Sequence, residues 1–324
     1  MSVRFGIVGL GMGMNRSRQV LSTDGAELVA VCDLDEARLE KAKTELDCEG
    51  HTDYQEMCER DDLDYVWIML PSGMHAKFGI QAAECGKNVV TTKPMDITIE
   101  ACDALTAACD KNGVKLVIDF EERFRPINRK IKKAVDEGLL GDVILGEIRL
   151  KWWRGEGYFR GWHGTWKQDG GGSLANQGVH QLDLLQWFLG DVDHVSGHFG
   201  IYGGHEHREV ETEDLLHAHV QFKSGSVGAI LTTTTCPIVQ QTQVQVHGVK
   251  GVVGTGPDVW AFVGDDEVDV EIEPGPRNST EDCISVLREG TEPACSGAEG
   301  RKTVELFNAI YQSGREKREV SLPL

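Results

Sequence analysis

Residues Val3 to Val8 form a short apolar run, broken by Gly9-Leu10-Gly11-Met12-Gly13-Met14 and followed by a helix-compatible segment toward Leu21. A second run, Leu28 to Cys32, ends at Asp33. The alternation then continues with a strand over Asp64 to Leu70, a turn over Pro71 to His75 and a helix over Ala76 to Cys85. Asn88 to Thr92 reads as the next strand, Ile99 to Asn112 as a helix and Lys115 to Phe120 as a further strand. Apolar strands separated by amphipathic helices predict a parallel, doubly wound sheet that takes its ligand at the strand C-termini. Farther along the rhythm changes. His217 to Phe222, Ser226 to Thr234 and Val239 to His247 alternate polar with apolar residues, as antiparallel strands do.

The first turn carries chemistry. Glycines between strand and helix let the backbone approach a pyrophosphate, and the helix N-terminus offers free N–H donors. Asp33 closes the second strand near the distance at which a ribose-binding acid is expected. Together these predict dinucleotide binding by Gly9, Gly11, Met12, Gly13, Met14, Asp33 and Leu34. A carboxylate at Asp33 favours NAD over NADP because it repels a 2′-phosphate, a preference the nearby Arg38 softens. Met14 stands in the place of the third glycine, so the first helix is expected to sit farther from the sheet unless Gly13 compensates. The later strand ends add Leu70, Pro71, Ser72, His75, Thr92, Lys93 and Glu121 to the cofactor-facing set.

Lys93 precedes Pro94, which holds it extended at the carboxyl edge of the sheet. Its abrupt place at the strand end prompts the expectation of a cis Lys93–Pro94 peptide. Far downstream, Gly170-Gly171-Gly172 leads into a helix on which Asn176, His180 and Asp183 fall at i, i+4 and i+7, and so on one face. Such a stripe is either a site or a capped core helix whose polar groups satisfy one another. It includes the side chain that titrates nearest neutral pH.

Several of these pieces resemble the glucose–fructose oxidoreductase / inositol dehydrogenase family (Gfo/Idh/MocA). They are Gly9-x-Gly11, Asp33, Leu70-Pro71-Ser72-x-x-His75, Ala83-x-x-Gly86-Lys87-x-Val89, Thr92-Lys93-Pro94 and Gly170 through Asp183. The carboxyl end, Glu299 through Leu324, is similar too. The resemblance implies a Rossmann domain over residues 1–122 and a substrate-binding and oligomerisation α+β domain over 123–324, built on a large, mainly antiparallel open sheet. The C-terminal helix is expected to pack back toward the first domain. It also implies hydride exchange between nicotinamide and a hydroxyl or carbonyl of a sugar, cyclitol or sugar derivative.

The family's lysine falls on Lys93 and its helix histidine on His180. Three positions depart from the pattern. Thr92 replaces a usual glutamate, Ser72 a frequent asparagine, and Asn176 the aspartate of inositol dehydrogenase-like members. Asn176 cannot act as a base, and instead looks like the sugar or nucleotide-sugar oxidoreductases.

Carbinol oxidation requires removal of the hydroxyl proton as the hydride leaves. The expectation is that His180 is the general acid/base and Lys93 stabilises the same oxygen, above C4 of the nicotinamide, though the two roles are interchangeable on sequence grounds. Asn176, Asp183 and Trp166 are the candidate substrate-binding residues, with Asp183 also expected to buttress the helix or its histidine. Two other readings fit the same motifs: a glycosidase using NAD for transient oxidation, and a non-catalytic dinucleotide sensor. A sensor needs neither Lys93 nor His180.

Four of the seven tryptophans lie between Lys151 and Lys167, interleaved with glycines and cations. They either stack on a sugar or pack on their own domain. His205/His207 and His217/His219 each share a strand face, but without clustered third and fourth ligands no metal site is expected. Val244 and Val246 share a face with Gln240 and Thr242, compatible with subunit contact, and a homodimer or homotetramer is expected.

The net charge of −19 disfavours nucleic acid and anionic membranes as partners. Nine scattered cysteines without a Cys-x-x-Cys pair read as reduced thiols in the cytoplasm. No run approaches membrane-spanning length, and an apolar strand starting at Val3 leaves no room for a signal sequence.

Overall fold

The computed structural model describes residues 2–203, 210–255 and 260–324. The chain divides into two compact units, Met1–Phe120 with Pro276–Arg301, and Glu121–Gly275 with Lys302–Leu324.

The first unit alternates β1 (Val3–Val8), α1 (Gly13–Leu21), β2 (Ala26–Cys32), α2 (Glu36–Leu46), β3 (Glu49–His51) and α3 (Tyr54–Cys58). There follow β4 (Tyr65–Ile68), α4 (His75–Glu84), β5 (Asn88–Thr92), α5 (Ile99–Asn112) and β6 (Leu116–Asp119). The six strands are parallel in the order β3-β2-β1-β4-β5-β6. The order reverses beside β1, where open α/β sheets bind ligands. Phe5, Tyr65 and Trp67 lie fully buried in the centre, with Phe5 stacked on Tyr65 at 5.5 Å. Helix ends follow local chemistry: the Thr98 side chain caps α5 at Ala101 N, and Gly113 takes the left-handed geometry (φ 66°) that ends it.

Residues 276–301, expected with the second domain, belong to this first unit. Their helix α9 (Ser279–Arg288) buries Cys283, whose carbonyl accepts from the Tyr65 hydroxyl at 3.2 Å. Gly297 and Gly300 open α10 (Gly297–Glu316) directly against β6. A Cβ on either would lie 2.7 Å from the side chains of Leu116 and Ile118 respectively.

The second unit holds α6 (Pro126–Asp136), β7 (Val143–Lys151), α7 (Trp166–Asp169), a π-helix over Ser173–Gly178 and α8 (Val179–Leu189). Its remaining strands are β8 (Val192–Gly200), β9 (Leu215–Phe222), β10 (Val227–Thr233), β11 (Gln243–Gly248), β12 (Gly251–Gly254), β13 (Trp260–Val263), β14 (Asp266–Glu267) and β15 (Val320–Ser321). They form a nine-stranded sheet in the order β14-β13-β12-β11-β7-β10-β9-β8-β15. Among the described residues of this sheet, β7–β10 is the one parallel pair. The exposed acidic turn at Asp265–Glu267 closes the hairpin of β13 and β14.

Helix α8 packs on β7 at Gly146, where a Cβ would lie 2.5 Å from Leu185, and α10 packs on β8 at Gly197 beside Ile310. Period-two alternation buries Ile148, Leu150, Val220, Ile230, Val244 and Val246. That corrects one expectation. The Val244/Val246 face is the chain's own core face, because helices cover it. Gln243, Gln245, His217 and His219 point the other way.

Candidate active site

In the first unit, each glycine of the opening turn has a separate reason. Gly9 has φ +90°, and a Cβ there would meet the Met69 carbonyl at 2.6 Å. Gly13 packs where the missing third glycine was expected to act: a Cβ would stand 3.2 Å from Ile7 Cγ2 and 3.3 Å from Met69 Cβ. Compensation by Gly13 is therefore what the structure shows, and Met14 is free to pack partly buried against the core. A Cβ on Gly11 would meet no described atom within 4 Å. This open cradle fits a pyrophosphate. Met12, at the N-cap of α1, gives no side-chain cap, and the first turn has no acid to repel an anion.

Asp33 is anchored beside this turn. Its Oδ2 accepts from Leu10 N at 2.7 Å and from Arg38 Nη1 at 3.1 Å, and its Oδ1 accepts from Asp35 N at 2.9 Å. Leu34, the next residue in the chain, and Met12 in the glycine turn stand 88% and 58% exposed, apolar surfaces of the kind an adenine covers.

At the ends of β4 and β5, Thr92 and Ser72 are buried, Leu70, Pro71 and Lys93 are half-buried, and the Lys93–Pro94 peptide is cis. His75, expected to face the cofactor, is instead 1% exposed. Its Nδ1 lies 2.7 Å from the Pro94 carbonyl and its Nε2 2.7 Å from the Leu70 carbonyl, tying the two strand-end turns together. Burial lowers its pKa most, against the upward pull of those carbonyls and of Asp96. Asp96 itself is pushed up by burial, although it accepts from Ala76 N and Ile97 N.

In the second unit, the triglycine is a packing device. A Cβ at Gly171 would strike the Tyr311 hydroxyl at 2.1 Å, and one at Gly172 the Glu213 carbonyl at 2.0 Å. Glu213 holds the turn that follows: it accepts from Gly172 N at 2.8 Å, Leu174 N at 2.9 Å, Ser173 Oγ at 3.2 Å and Tyr311 OH at 2.8 Å. Burial nevertheless pushes its pKa up to about 7.

The π-helix changes the expected face. Asn176 sits in the wider π turn, and α-helical spacing begins only at Val179. Among the described residues from Ser173 to Leu185, His180 is the one not buried. Asp183 is 1% exposed, and both its oxygens accept from Arg123, at 2.8 and 2.7 Å. It therefore buttresses the helix rather than meeting a substrate.

Asn176 joins a buried network. Its Nδ2 donates to Asp169 Oδ1, while its Oδ1 accepts from Tyr158 OH at 3.0 Å and from Gln177 Nε2 at 2.6 Å. Arg154 Nε donates to Gln177 Oε1 at 2.8 Å. Tyr158 stacks on His163 at 4.1 Å, and His163 meets Trp162 at 3.8 Å. Trp166 lies elsewhere, edge-on to Tyr311 at 5.2 Å and beneath Arg315 at 4.7 Å.

Glu121 is exposed just past β6. His217 and His219 are exposed on β9 near His198 and His194, and the described residues contain no group of three or more His, Cys, Asp or Glu able to hold a metal. His205 and His207 lie outside the described residues. No described helix is long and apolar enough to cross a membrane.

Sequence reasoning missed Arg123, Tyr158, Gln177, Glu213 and Tyr311. Each acts on a residue distant in sequence or through burial, and neither leaves a local signal.

A parallel Rossmann sheet with a dinucleotide turn, joined to an open antiparallel sheet, defines an NAD-binding oxidoreductase. The chain belongs to the Gfo/Idh/MocA family. Residues 3–120 match the oxidoreductase family's NAD-binding Rossmann fold, and 128–254 match the Gfo/Idh/MocA C-terminal domain. Among solved structures it is similar to the WlbA dehydrogenase of Bordetella pertussis, in complex with NADH and UDP-GlcNAcA. That likeness is 28% identity and TM-score 0.89, over all of both chains. The WlbA dehydrogenase of Chromobacterium violaceum, bound to the same pair, is 30% identical with TM-score 0.88, over all of this chain and 96% of that one. Inositol 2-dehydrogenase of Rhizobium meliloti is 26% identical, over 99% of this chain and all of that protein.

Proposed function

We propose that this protein moves a hydride between NAD and a hydroxyl or carbonyl carbon of a sugar, cyclitol or sugar derivative. The observation that carries the reading is His180. It is the one residue from Ser173 to Leu185 that is not buried, on a helix anchored through the Asp183–Arg123 pair and preceded by a hydrogen-bonded π turn. Such support is what a group that must exchange protons at fixed geometry needs.

Bound NAD supplies the hydride acceptor or donor. Gly9, Gly11, Gly13 and the start of α1 would cradle its pyrophosphate, and Asp33 and Leu34 its adenosine half. In oxidation, His180 takes the hydroxyl proton as the C–H bond gives up its hydride. Lys93 hydrogen-bonds the same oxygen and lowers the energy of the developing alkoxide. In reduction, His180 returns the proton. Asn176 orients the substrate through the network with Tyr158 and Asp169. The WlbA likeness and Asn176 both support a nucleotide-sugar or related sugar derivative.

Incubating the protein with NAD and a panel of sugars, cyclitols and nucleotide sugars, and following absorbance of reduced nicotinamide, tests the reading. One compound giving stoichiometric NADH and a carbonyl product supports it. Sugar release without NADH accumulation supports the transient-oxidation chemistry instead. We also propose a homo-oligomer, on which light scattering in solution decides; a monodisperse monomer rejects it.

A further inference from the structure

Arg154 is held in place without a counter-charge. Its guanidinium lies over the rings of Trp152 at 4.8 Å and Tyr158 at 5.2 Å, and its Nε and Nη2 converge on one oxygen, Gln177 Oε1, at 2.8 and 2.5 Å. Nη1 takes no part in that bond. The side chain is half-buried and pairs with no carboxylate among the described residues. This is unusual here. The chain carries 52 acids against 33 Lys and Arg, and most of its other partly buried arginines are paired, as Arg123 is to Asp183. The segment itself inverts the balance of the chain, with Lys151, Arg154, Arg160 and Lys167 against Glu156 alone.

A guanidinium clamped by two aromatic faces and an amide has already lost its rotamer freedom, so an oxyanion that reaches it gains nearly the full charge-assisted bond. Gln177, which fixes it, also bonds Asn176 and lies three residues before His180 on the same helical run.

We infer that Arg154 is an anion-recognition residue, and that the substrate carries a carboxylate or phosphate group received at its Nη1 edge. This rests on the reading of the protein as an oxidoreductase of sugar-like compounds and narrows it to acidic ones. Tyr158 and Trp152 would flank the sugar beside that group. Trp166, committed to Tyr311 and Arg315, would not.

The test is equilibrium binding to the NADH-loaded protein, by calorimetry, of glucose, glucuronate, glucose 6-phosphate and UDP-glucose, with wild type, Arg154→Lys and Arg154→Gln. At least one anionic probe binds wild type about 10- to 100-fold more tightly than glucose, the range of a charge-assisted hydrogen bond. Arg154→Gln abolishes that margin, weakening the anionic probe at least 10-fold more than it weakens glucose, and Arg154→Lys retains part of it. Glucuronate and the phosphate probes separate the two sources of negative charge. Equal binding of glucose and all anionic probes by wild type overturns the inference. So does an equal loss for glucose and anions in Arg154→Gln, which marks a merely structural arginine. Tight, Arg154-dependent anion binding without any hydride transfer supports the anion site while counting against the oxidoreductase reading for those compounds.

Discussion

The imidazole Nδ1 of His75 lies 2.7 Å from the carbonyl oxygen of Pro94, one residue beyond Lys93. The other ring nitrogen reaches Leu70 O. Two turns at neighbouring strand ends are thus fastened by one buried ring, and the position of Lys93 depends on it.

His75→Ala removes that contact and leaves a buried carbonyl without its N–H donor. We expect a stability loss of about 1–3 kcal/mol in urea unfolding, together with reduced turnover, since Lys93 is no longer held. Unchanged stability and turnover would show that the ring is a passenger.

The first two glycines of the opening turn, Gly9 and Gly11, separate folding from binding. Gly11→Ala projects its methyl into open space, so urea stability stays within about 0.5 kcal/mol of wild type while NAD affinity falls at least tenfold. Gly9→Ala places a Cβ against the Met69 carbonyl at positive φ and costs about 1–3 kcal/mol. Calorimetric titration with NAD and unfolding curves check both. A Gly11→Ala protein that binds NAD normally would remove the pyrophosphate from this turn.

Breaking the Arg123–Asp183 pair leaves an uncompensated buried charge. Asp183→Leu is expected to destabilise the protein by about 3–5 kcal/mol, and the substrate KM should change less than the unfolding midpoint. A variant as stable as wild type but with a greatly raised KM would instead return Asp183 to the substrate.

Glu213 sets a pH dependence. Its folded-state pKa, about 7, stands above its ordinary value of 4.5, because burial outweighs the four hydrogen bonds it accepts. The folded state therefore binds the extra proton. The stability due to Glu213 is complete below pH 4.5 and is lost as pH rises through about 7, a change of about 3 kcal/mol. Asp282, raised to about 6, acts in the same direction. The difference between wild type and Glu213→Gln isolates the term: measured from pH 4.5 to 8, it should shift against wild type with rising pH. A constant difference would mean that Glu213 does not titrate there.

The first unit was the more legible because its signals are local. Helix Ile99–Asn112 and strands Val3–Val8 and Asn88–Thr92 were readable to the residue, since Thr98 and Gly113 bound the first, Gly9 ends the second, and Gly86 and Pro94 flank the third. The dinucleotide turn was readable because its chemistry is contiguous. What escaped was made by partners far apart in the chain. Asp183 read as a polar site residue because charges are seldom fully buried, and only Arg123, 60 positions away, makes its burial possible. Asn176 was placed by α-helical spacing, and nothing in Ser173–Gly178 advertises the π turn. Val244 and Val246 were legible as sharing one face; which face met the helices was not. The return of 276–301 depends on close glycine contacts with β6, which no periodicity records.

Lys93 and His180 are proposed to act on a single oxygen, and a double-mutant comparison of hydride-transfer rates tests that most directly. With a turned-over substrate, Lys93→Met and His180→Asn should each slow the transfer step about 100- to 10,000-fold. The double variant should be little slower than the worse single one, because groups acting as a unit are not additive. Near wild-type rates in either single variant, or losses that simply multiply, would contradict the account.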